Sequence, residues 1–352
     1  MRVAKSEGST PTADGLKQIW ERVFQRAPIG LSDDFHDLGG NAVLADRICS
    51  EIFHTYNRSV PGVAISHAPS ISKLALLLQQ DPLPAFSPLI QIKTGTDEPP
   101  VFIAHGLSGM VEYHTLAKHI HTSNSIIGFQ AVGLDGREEP LERVEDMAGH
   151  YLNALLKRQP DGPYFLIGYS FGGLVAFEMA QKLLAKGKQI ALLALVDAYP
   201  HPRFMLPAQR FRVFVKRMRT HAGKMSGMPT SNAASYFVRG IKRRLHLAAP
   251  LEIGTHPEPH NFSLAATLPW VNQKTYRAYA NYEPKFYPGS IQFITAKVQT
   301  FFPGNPGSVW KRLARDFEVE TIPGDHLGII TSEYRPLAEV LTRFIRKAST
   351  NS

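Results

Sequence analysis

Residues 164–184 read Tyr-Phe-Leu-Ile-Gly-Tyr-Ser-Phe-Gly-Gly-Leu-Val-Ala-Phe-Glu-Met-Ala-Gln-Lys-Leu-Leu, and the fold turns on how this stretch divides. The apolar run Tyr164 to Ile167 has the length of a buried strand, and Leu174 to Leu184 reads as a helix. Between them stands Gly168-Tyr169-Ser170-Phe171-Gly172, followed by Gly173. Glycines on both sides let the backbone turn sharply where a Cβ would obstruct it. A strand, a tight turn and a helix around Gly-x-Ser-x-Gly form a nucleophile elbow, which holds Ser170 in strained dihedrals with its hydroxyl exposed at the sheet's C-terminal edge. The alternative is a Gly-rich turn with no chemistry.

Outward from this stretch, short β-rich runs alternate with helical ones. The runs are Leu89 to Ile92, Val101 to Ala104, Ser125 to Phe129, Ile190 to Val196, Ile291 to Thr295 and Phe317 to Ile322. Alternation of this kind predicts a mostly parallel sheet with helices on both faces. An insert from Pro200 to about Pro269 interrupts it.

A serine hydroxyl at neutral pH needs a base, and the base needs a partner that fixes its tautomer. Behind an elbow the acid follows a later strand and the histidine comes last. The strand ending at Val196 runs directly into Asp197, whereas the run Ile291 to Thr295 is followed by no carboxylate before Asp316. Asp197 is therefore the candidate acid, with a loop or helix cap as its alternative role. His326, in Pro323-Gly324-Asp325-His326 after the last strand, is the candidate base. Asp325 is too close in sequence to orient that imidazole. Other histidines, among them His114, His119, His121, His201, His256 and His260, read as surface or capping residues, and their spacing fits no zinc pattern. The backbone N–H of Phe171, just after the serine, is one candidate oxyanion donor. The loop His105-Gly106-Leu107-Ser108-Gly109 offers the N–H of Leu107 as a second, or is a simple turn.

Ahead of the sheet, Leu16, Ile19, Trp20, Val23 and Phe24 set a helical repeat over Gly15 to Arg26 behind the capping candidates Thr12 and Asp14. Val43 to Tyr56 and Ser70 to Gln80, the latter capped by Ser70, are further helices, so residues 11–81 predict a small all-α bundle of three or four helices after a tail at 1–10. The segment Asp81 to Pro88, with three prolines and no periodicity, reads as a linker that hands over to an α/β domain at 89–348. Within the bundle, Asp37-Leu38-Gly39-Gly40-Asn41-Ala42-Val43-Leu44-Ala45-Asp46 is built like a loop that presents a residue at a helix start. The residue presented is Ala42, which has no reactive atom.

Composition sets the context. The net charge of +9 is carried by the insert: between Pro200 and Pro250 stand eleven Lys or Arg and no Asp or Glu, which leaves 28 basic against 30 acidic residues elsewhere. That stretch is a solvated helical face, or a patch for an acidic partner, a membrane surface or a substrate phosphate; no nucleic-acid motif accompanies it. The single cysteine, Cys49, lies among apolar helix-like residues and reads as a small buried hydrophobe in a reducing, cytoplasmic setting. No window approaches the roughly 20 apolar residues that span a bilayer, and the first fifteen residues carry no apolar run, so a soluble, non-secreted protein is expected.

The run AGHYLNALLKRQPDGPYFLIGYSFGGLVAFEMAQKL, with LLALVDAYP and VETIPGDHLGII, resembles the thioesterase domains at the ends of nonribosomal peptide and polyketide synthetases, over most of residues 88 to 348. This resemblance implies an α/β hydrolase fold, with the insert at about 200–269 as a helical lid over the acyl channel. Gly106 stands where proline is common in the family. In the lid, Phe204, Met205, Leu206, Phe211, Val213, Phe214, Val215, Tyr236, Phe237 and Val238 line a channel or form ordinary lid core.

LKQIWERVF, DDFHDLGGNAVLADRI and SISKLALLL similarly resemble a peptidyl or acyl carrier domain, in which a serine after this Leu-Gly-Gly loop carries 4'-phosphopantetheine. The matching position is Ala42, so the chain as written cannot be loaded. Either the serine was replaced deliberately, or the carrier is degenerate and kept for docking. The function implied is a chain-releasing thioesterase that draws an acyl or peptidyl thioester from its own or an upstream carrier and releases it by hydrolysis or cyclisation. A phosphopantetheinyl transferase would be a partner if serine stood at position 42. Alternatives are an editing thioesterase, a general esterase, or a docking protein without activity.

Overall fold

Side-chain oxygens over the first turns define where the N-terminal helices begin. Thr12 Oγ1 accepts from Gly15 N at 3.2 Å to start α1 (Ala13–Phe24), and Asn41 Oδ1 accepts from Leu44 N at 3.1 Å to start α2 (Ala42–Tyr56). A short α3 (Val63–His67) follows, and Ser70 Oγ accepts from Lys73 N at 3.3 Å to open α4 (Ile71–Leu77). This computed structural model describes residues 10–106, 111–208, 210–211, 214–215, 262–299 and 305–350. The four helices bury Leu16, Ile19, Trp20, Phe35, Ile48, Ile52 and Leu74 in a core of their own. Cys49 lies in that core, where burial, with a smaller push from Asp46, raises its thiol to about 12.

The proline-rich segment after α4 is held down along its length. Leu83 is buried against the bundle core, and Phe86 packs on the His67 ring with centroids 5.0 Å apart. Arg137 donates to the carbonyls of Leu83 and Pro84 at 3.2 and 3.1 Å and lies over the Phe86 ring. Composition registers the prolines of this segment but not the two apolar anchors that pin it.

Seven strands follow: β1 (Leu89–Lys93), β2 (Asp97–Ala104), β3 (Asn124–Phe129), β4 (Tyr164–Tyr169), β5 (Ile190–Val196), β6 (Tyr287–Val298) and β7 (Ala314–Asp325). Their order is β1-β3-β2-β4-β5-β6-β7; all pairs are parallel except β1 with β3. β3 and β4 are buried along their whole length, as strands covered on both faces must be. On one face lie α5 (Val111–His119) and α11 (Tyr334–Thr350), with the short α10 (Gly328–Thr331) beside them. On the other lie α6 (Val144–Arg158), α7 (Phe171–Ala185), α8 (Leu264–Asn281) and the short α9 (Gly307–Trp310).

Three expectations change. β7 pairs with β6 as far as Asp325, so Pro323-Gly324-Asp325 belong to the strand rather than to a loop; the register shifts between Ala296 and Val298, and the bulge accommodates Pro323, which has no N–H, and Gly324 at φ +90°. Pro269 does not close the insert, because it lies inside α8, whose start is capped by Ser263. His114 is neither a surface nor a capping residue: it is buried on α5 and stacked on His36 of the bundle, with centroids 3.5 Å apart. His119 and His201 do bond locally, to Thr115 O and from Arg203 N, whereas His256 and His260 lie outside the described residues. So do most of the basic insert and, among its apolar residues, Val213, Tyr236, Phe237 and Val238. Of the rest, Met205 is buried and Leu206, Phe211 and Phe214 are exposed.

Candidate active site

Parallel strands in register bring three loops to one sheet edge. Ser170 follows β4 and its N–H bonds Val196 O at 2.8 Å; Asp197 follows β5 and its N–H bonds Ile294 O at 2.7 Å; His326 follows β7. Ser170 has φ 54° and ψ −121°, a conformation that disfavours a side chain and persists only where its surroundings impose it. The glycines show how. A Cβ on Gly168 would lie 2.4 Å from Gly172 O, and one on Gly172 would lie 2.2 Å from Ala104 O. Only bare backbones pack this closely, so the elbow is locked between β2 and α7.

The side chains meet in sequence. Ser170 Oγ is 3.0 Å from His326 Nε2, and His326 Nδ1 is 2.7 Å from Asp197 Oδ2. A carboxylate beside Nδ1 fixes the proton there, which leaves Nε2 as the acceptor for the serine hydroxyl. Asp197 is fully buried, and its other oxygen accepts from Gln299 Nε2 at 2.7 Å, Ala296 N at 3.3 Å and Thr295 Oγ1 at 3.4 Å. Tyr169 stacks on the His326 ring, and its hydroxyl donates to the His326 carbonyl at 2.5 Å. Asp325 is engaged elsewhere, accepting from Gly328 N at 2.8 Å.

Phe171 is the first residue of α7, so its N–H has no partner within the helix. Leu107 lies outside the described residues. The neighbouring Gly106 N–H is taken by Tyr113 Oη at 3.0 Å, and burial holds His105 below the usual imidazole range. Beside Phe171 opens an apolar pocket whose walls include Ala104 and His105 at the end of β2, Val175 on α7, and Val271 and Thr275 on α8.

Sequence reasoning missed Gln299, Thr295 and Tyr169. Tyr169 stands inside the Gly-x-Ser-x-Gly pattern at a position open to any residue. Gln299 follows β6 with no local signal, and only the pairing of β5 with β6 brings it to Asp197.

Ala42 is the first residue of α2, half-buried beside the exposed Val43. Its methyl offers no oxygen for a phosphodiester, and no Ser, Thr or Tyr stands between Asp37 and Asp46. The residues present do not fit a covalently attached phosphopantetheine.

An elbow serine with imidazole and carboxylate supplied from two other strand ends of a mostly parallel sheet defines an α/β hydrolase. Residues 99–348 match the Thioesterase domain family, and the chain belongs to it. Residues 14–78 match the Phosphopantetheine attachment site family, so a carrier-type bundle precedes the thioesterase domain.

The chain is 35% identical over 199 residues to a dimodular nonribosomal peptide synthase of Bacillus subtilis (strain 168), a match covering 54% of this chain and 8% of that protein. It is also 35% identical over 202 residues to malpibaldin synthetase of Mortierella alpina, covering 55% of this chain and 4% of that one. The chain therefore spans less than a tenth of the length of these curated relatives. Among solved structures, a four-domain nonribosomal peptide synthetase bound to AMP and glycine superposes with a TM-score of 0.56 at 19% identity, over 97% of this chain and 27% of that one. The type II thioesterase BorB from the borrelidin cluster gives 0.50 at 18%, over 75% and 98%. At such identities the likeness is one of fold.

Proposed function

We propose that the chain is a serine thioesterase that takes an acyl or peptidyl group from a phosphopantetheine thioester onto Ser170 and releases it, by hydrolysis or cyclisation, in nonribosomal peptide or polyketide synthesis. The observation that supports this reading is the run of contacts from Ser170 Oγ through His326 to the buried Asp197. In this reading residues 11–81 are a carrier-derived unit, 82–88 the connection and 89–348 the catalytic unit. A reducing, cytoplasmic setting belongs with it, since Cys49 is buried and unpaired; no helix among the described residues is long and apolar enough to cross a membrane.

His326 Nε2 accepts the hydroxyl proton as Ser170 Oγ bonds the thioester carbonyl carbon, and Asp197 stabilises the imidazolium. The carbonyl oxygen becomes an oxyanion held by the Phe171 N–H and, in this reading, the Leu107 N–H. The C–S bond then breaks, and the leaving sulfur takes the proton from His326, giving a free thiol and acyl-Ser170. Water, or a hydroxyl or amine of the acyl chain itself, next gives its proton to His326 as it attacks the ester. Collapse returns the proton to Ser170 Oγ and frees the acid or the ring.

Ala42 favours a second reading of the donor. With no attachment hydroxyl in cis, the acyl group arrives on a separate carrier, as an editing thioesterase acting in trans would receive it. Intact-mass analysis after brief exposure to acyl N-acetylcysteamine thioesters tests the common step: the wild-type chain gains one acyl group, and Ser170→Ala gains none. Linear or cyclic products distinguish the two second steps. Equal thiol release by both proteins would leave the chain a docking protein.

A further inference from the structure

The bundle is seated on the catalytic unit at a defined place, the start of α8. Asp46 on α2 accepts from Leu264 N at 2.7 Å through one carboxylate oxygen and from Ala265 N at 2.8 Å through the other. With Ser263 Oγ accepting from Ala266 N at 3.2 Å, the first three helical N–H groups of α8 are all bonded, two of them by the bundle. The Gly62 N–H bonds Phe262 O at 3.2 Å, and Leu264 packs against the bundle core. A Cβ on Gly62 would lie 2.6 Å from Leu264 Cγ, so glycine is what permits this approach.

The same helix forms a wall of the apolar pocket. Val271 and Thr275 lie about two and about three turns beyond the Asp46 contact. Val271 is also backed directly by the bundle: Val63 on α3, Leu134 and Val271 form one buried cluster. The far half of α8 is fixed from the catalytic unit by ion pairs of Lys274 and Arg277 with Glu142. Its first turn is weakly tied to the rest, because Pro269 has no N–H to bond the Ala265 carbonyl. That turn depends on what holds it from outside, and Asp46 does so.

We propose that the bundle is a fixed part of the acyl-binding wall, in which Asp46 and Val63 are positioning residues that set Val271 and Thr275 against the acyl chain. The proposal rests on the reading that the pocket beside Phe171 receives that chain. A carrier that delivers its own arm must leave its seat to be loaded; a bundle with Ala42 has no arm to load, and a permanent seat takes nothing from it.

The test uses the full chain with acetyl and octanoyl N-acetylcysteamine thioesters. An acetyl group carries only a methyl beyond the reacting carbonyl, whereas an octanoyl group carries a heptyl chain, so contacts made by the α8 wall are read in the ratio of the two. Asp46→Ala and Val63→Ala lower kcat/KM for the octanoyl thioester about tenfold, mainly through KM, and leave the acetyl thioester nearly unchanged. Asp46→Asn, which keeps one acceptor, recovers part of the loss. Backbone hydrogen exchange in Asp46→Ala accelerates from Leu264 through Thr275. An unchanged octanoyl-to-acetyl ratio in both folded variants, or exchange that changes only in the first turn, overturns the proposal. If the wild-type chain turns over neither thioester, the thioesterase reading fails, and the exchange pattern alone decides whether the bundle positions the wall.

Discussion

The Gln299 amide nitrogen lies 2.7 Å from Asp197 Oδ1, while Asp197 Oδ2 lies 2.7 Å from His326 Nδ1, so one buried carboxylate is held from both sides. Gln299→Leu removes that donor and leaves the Ala296 N–H and the Thr295 hydroxyl at longer range. A hydrogen bond to a charged group is worth roughly 1.5–3 kcal/mol, so thioester kcat/KM falls about tenfold or more. Gln299→Glu, which sets a second carboxylate against the first, costs more than Gln299→Leu. Kinetics of both variants against pH check the order.

Asp197→Asn preserves the shape of the site but lets the side-chain amide donate to His326 Nδ1. The ring then carries its proton on Nε2 and cannot take the one on Ser170. A loss of about 10³- to 10⁴-fold in turnover is expected, by analogy with the same change in serine proteases. A loss of less than tenfold would remove Asp197 from the proposed mechanism.

Gly172→Ala tests the elbow without touching a reactive group. Its Cβ would meet Ala104 O at 2.2 Å and His105 O at 2.3 Å, both backbone atoms that cannot move aside alone. Overpacking of this kind costs about 1–3 kcal/mol. Thermal unfolding shows the lost stability, and acyl adduct formation slows in the fraction that stays folded.

The His36 and His114 rings give the seat of the bundle a pH dependence. Burial lowers His36 from 6.5 to about 4, with Lys118 acting in the same direction and Asp37 against it. Burial also lowers His114 from 6.5 to about 3, aided by His36 and Lys118 and opposed by Asp34 and Asp37. Both folded values lie below the unfolded one, so the unfolded chain binds protons first as the pH falls. Stability is therefore full above about pH 6.5 and declines toward pH 4, by at most about 1.4 kcal/mol per pH unit for each ring. Melting temperatures from pH 7.5 to 4.5 show the decline, and His36→Phe flattens it. Part of the slope remains, because burial also lowers His67 to about 4. An equal slope in wild type and variant would mean that the stacked pair does not titrate with folding.

Ala42→Ser restores an oxygen at the first position of α2 and leaves the Asn41 cap in place. The variant gains a phosphopantetheine mass on incubation with coenzyme A and a phosphopantetheinyl transferase, and the wild-type chain does not. Failure of the variant to load would show that more than the serine has been lost from the bundle.

Local signals carried far in this chain. Thr12 and Ser70 were legible as caps because a cap acts over three residues, and β4, the elbow and α7 were legible because a turn between a strand and a helix needs glycine at fixed spacing. Asn41 is a cap that the sequence does not announce, because an asparagine after two glycines reads equally as part of the loop. The burial of His114 is not legible locally, because its spacing with neighbouring histidines says nothing of a ring from the bundle lying on it. The anchorage of the segment around Leu83 is not legible either, because proline content is visible in a sequence and a packing partner is not.

The sequence by itself determined the elbow at Ser170, the chain order that puts Asp197 and His326 after later strands, the helical bundle ahead of the sheet and the missing hydroxyl at position 42. Each depends on residue type and on neighbours within a few positions. Only the tertiary structure decided that Gln299 reaches Asp197, that Val63 backs Val271, and that Asp46 bonds the start of a helix 218 residues further on. Those contacts form when the sheet closes and the bundle settles against it, and their energies depend on which surfaces meet. No periodicity along the chain encodes that meeting.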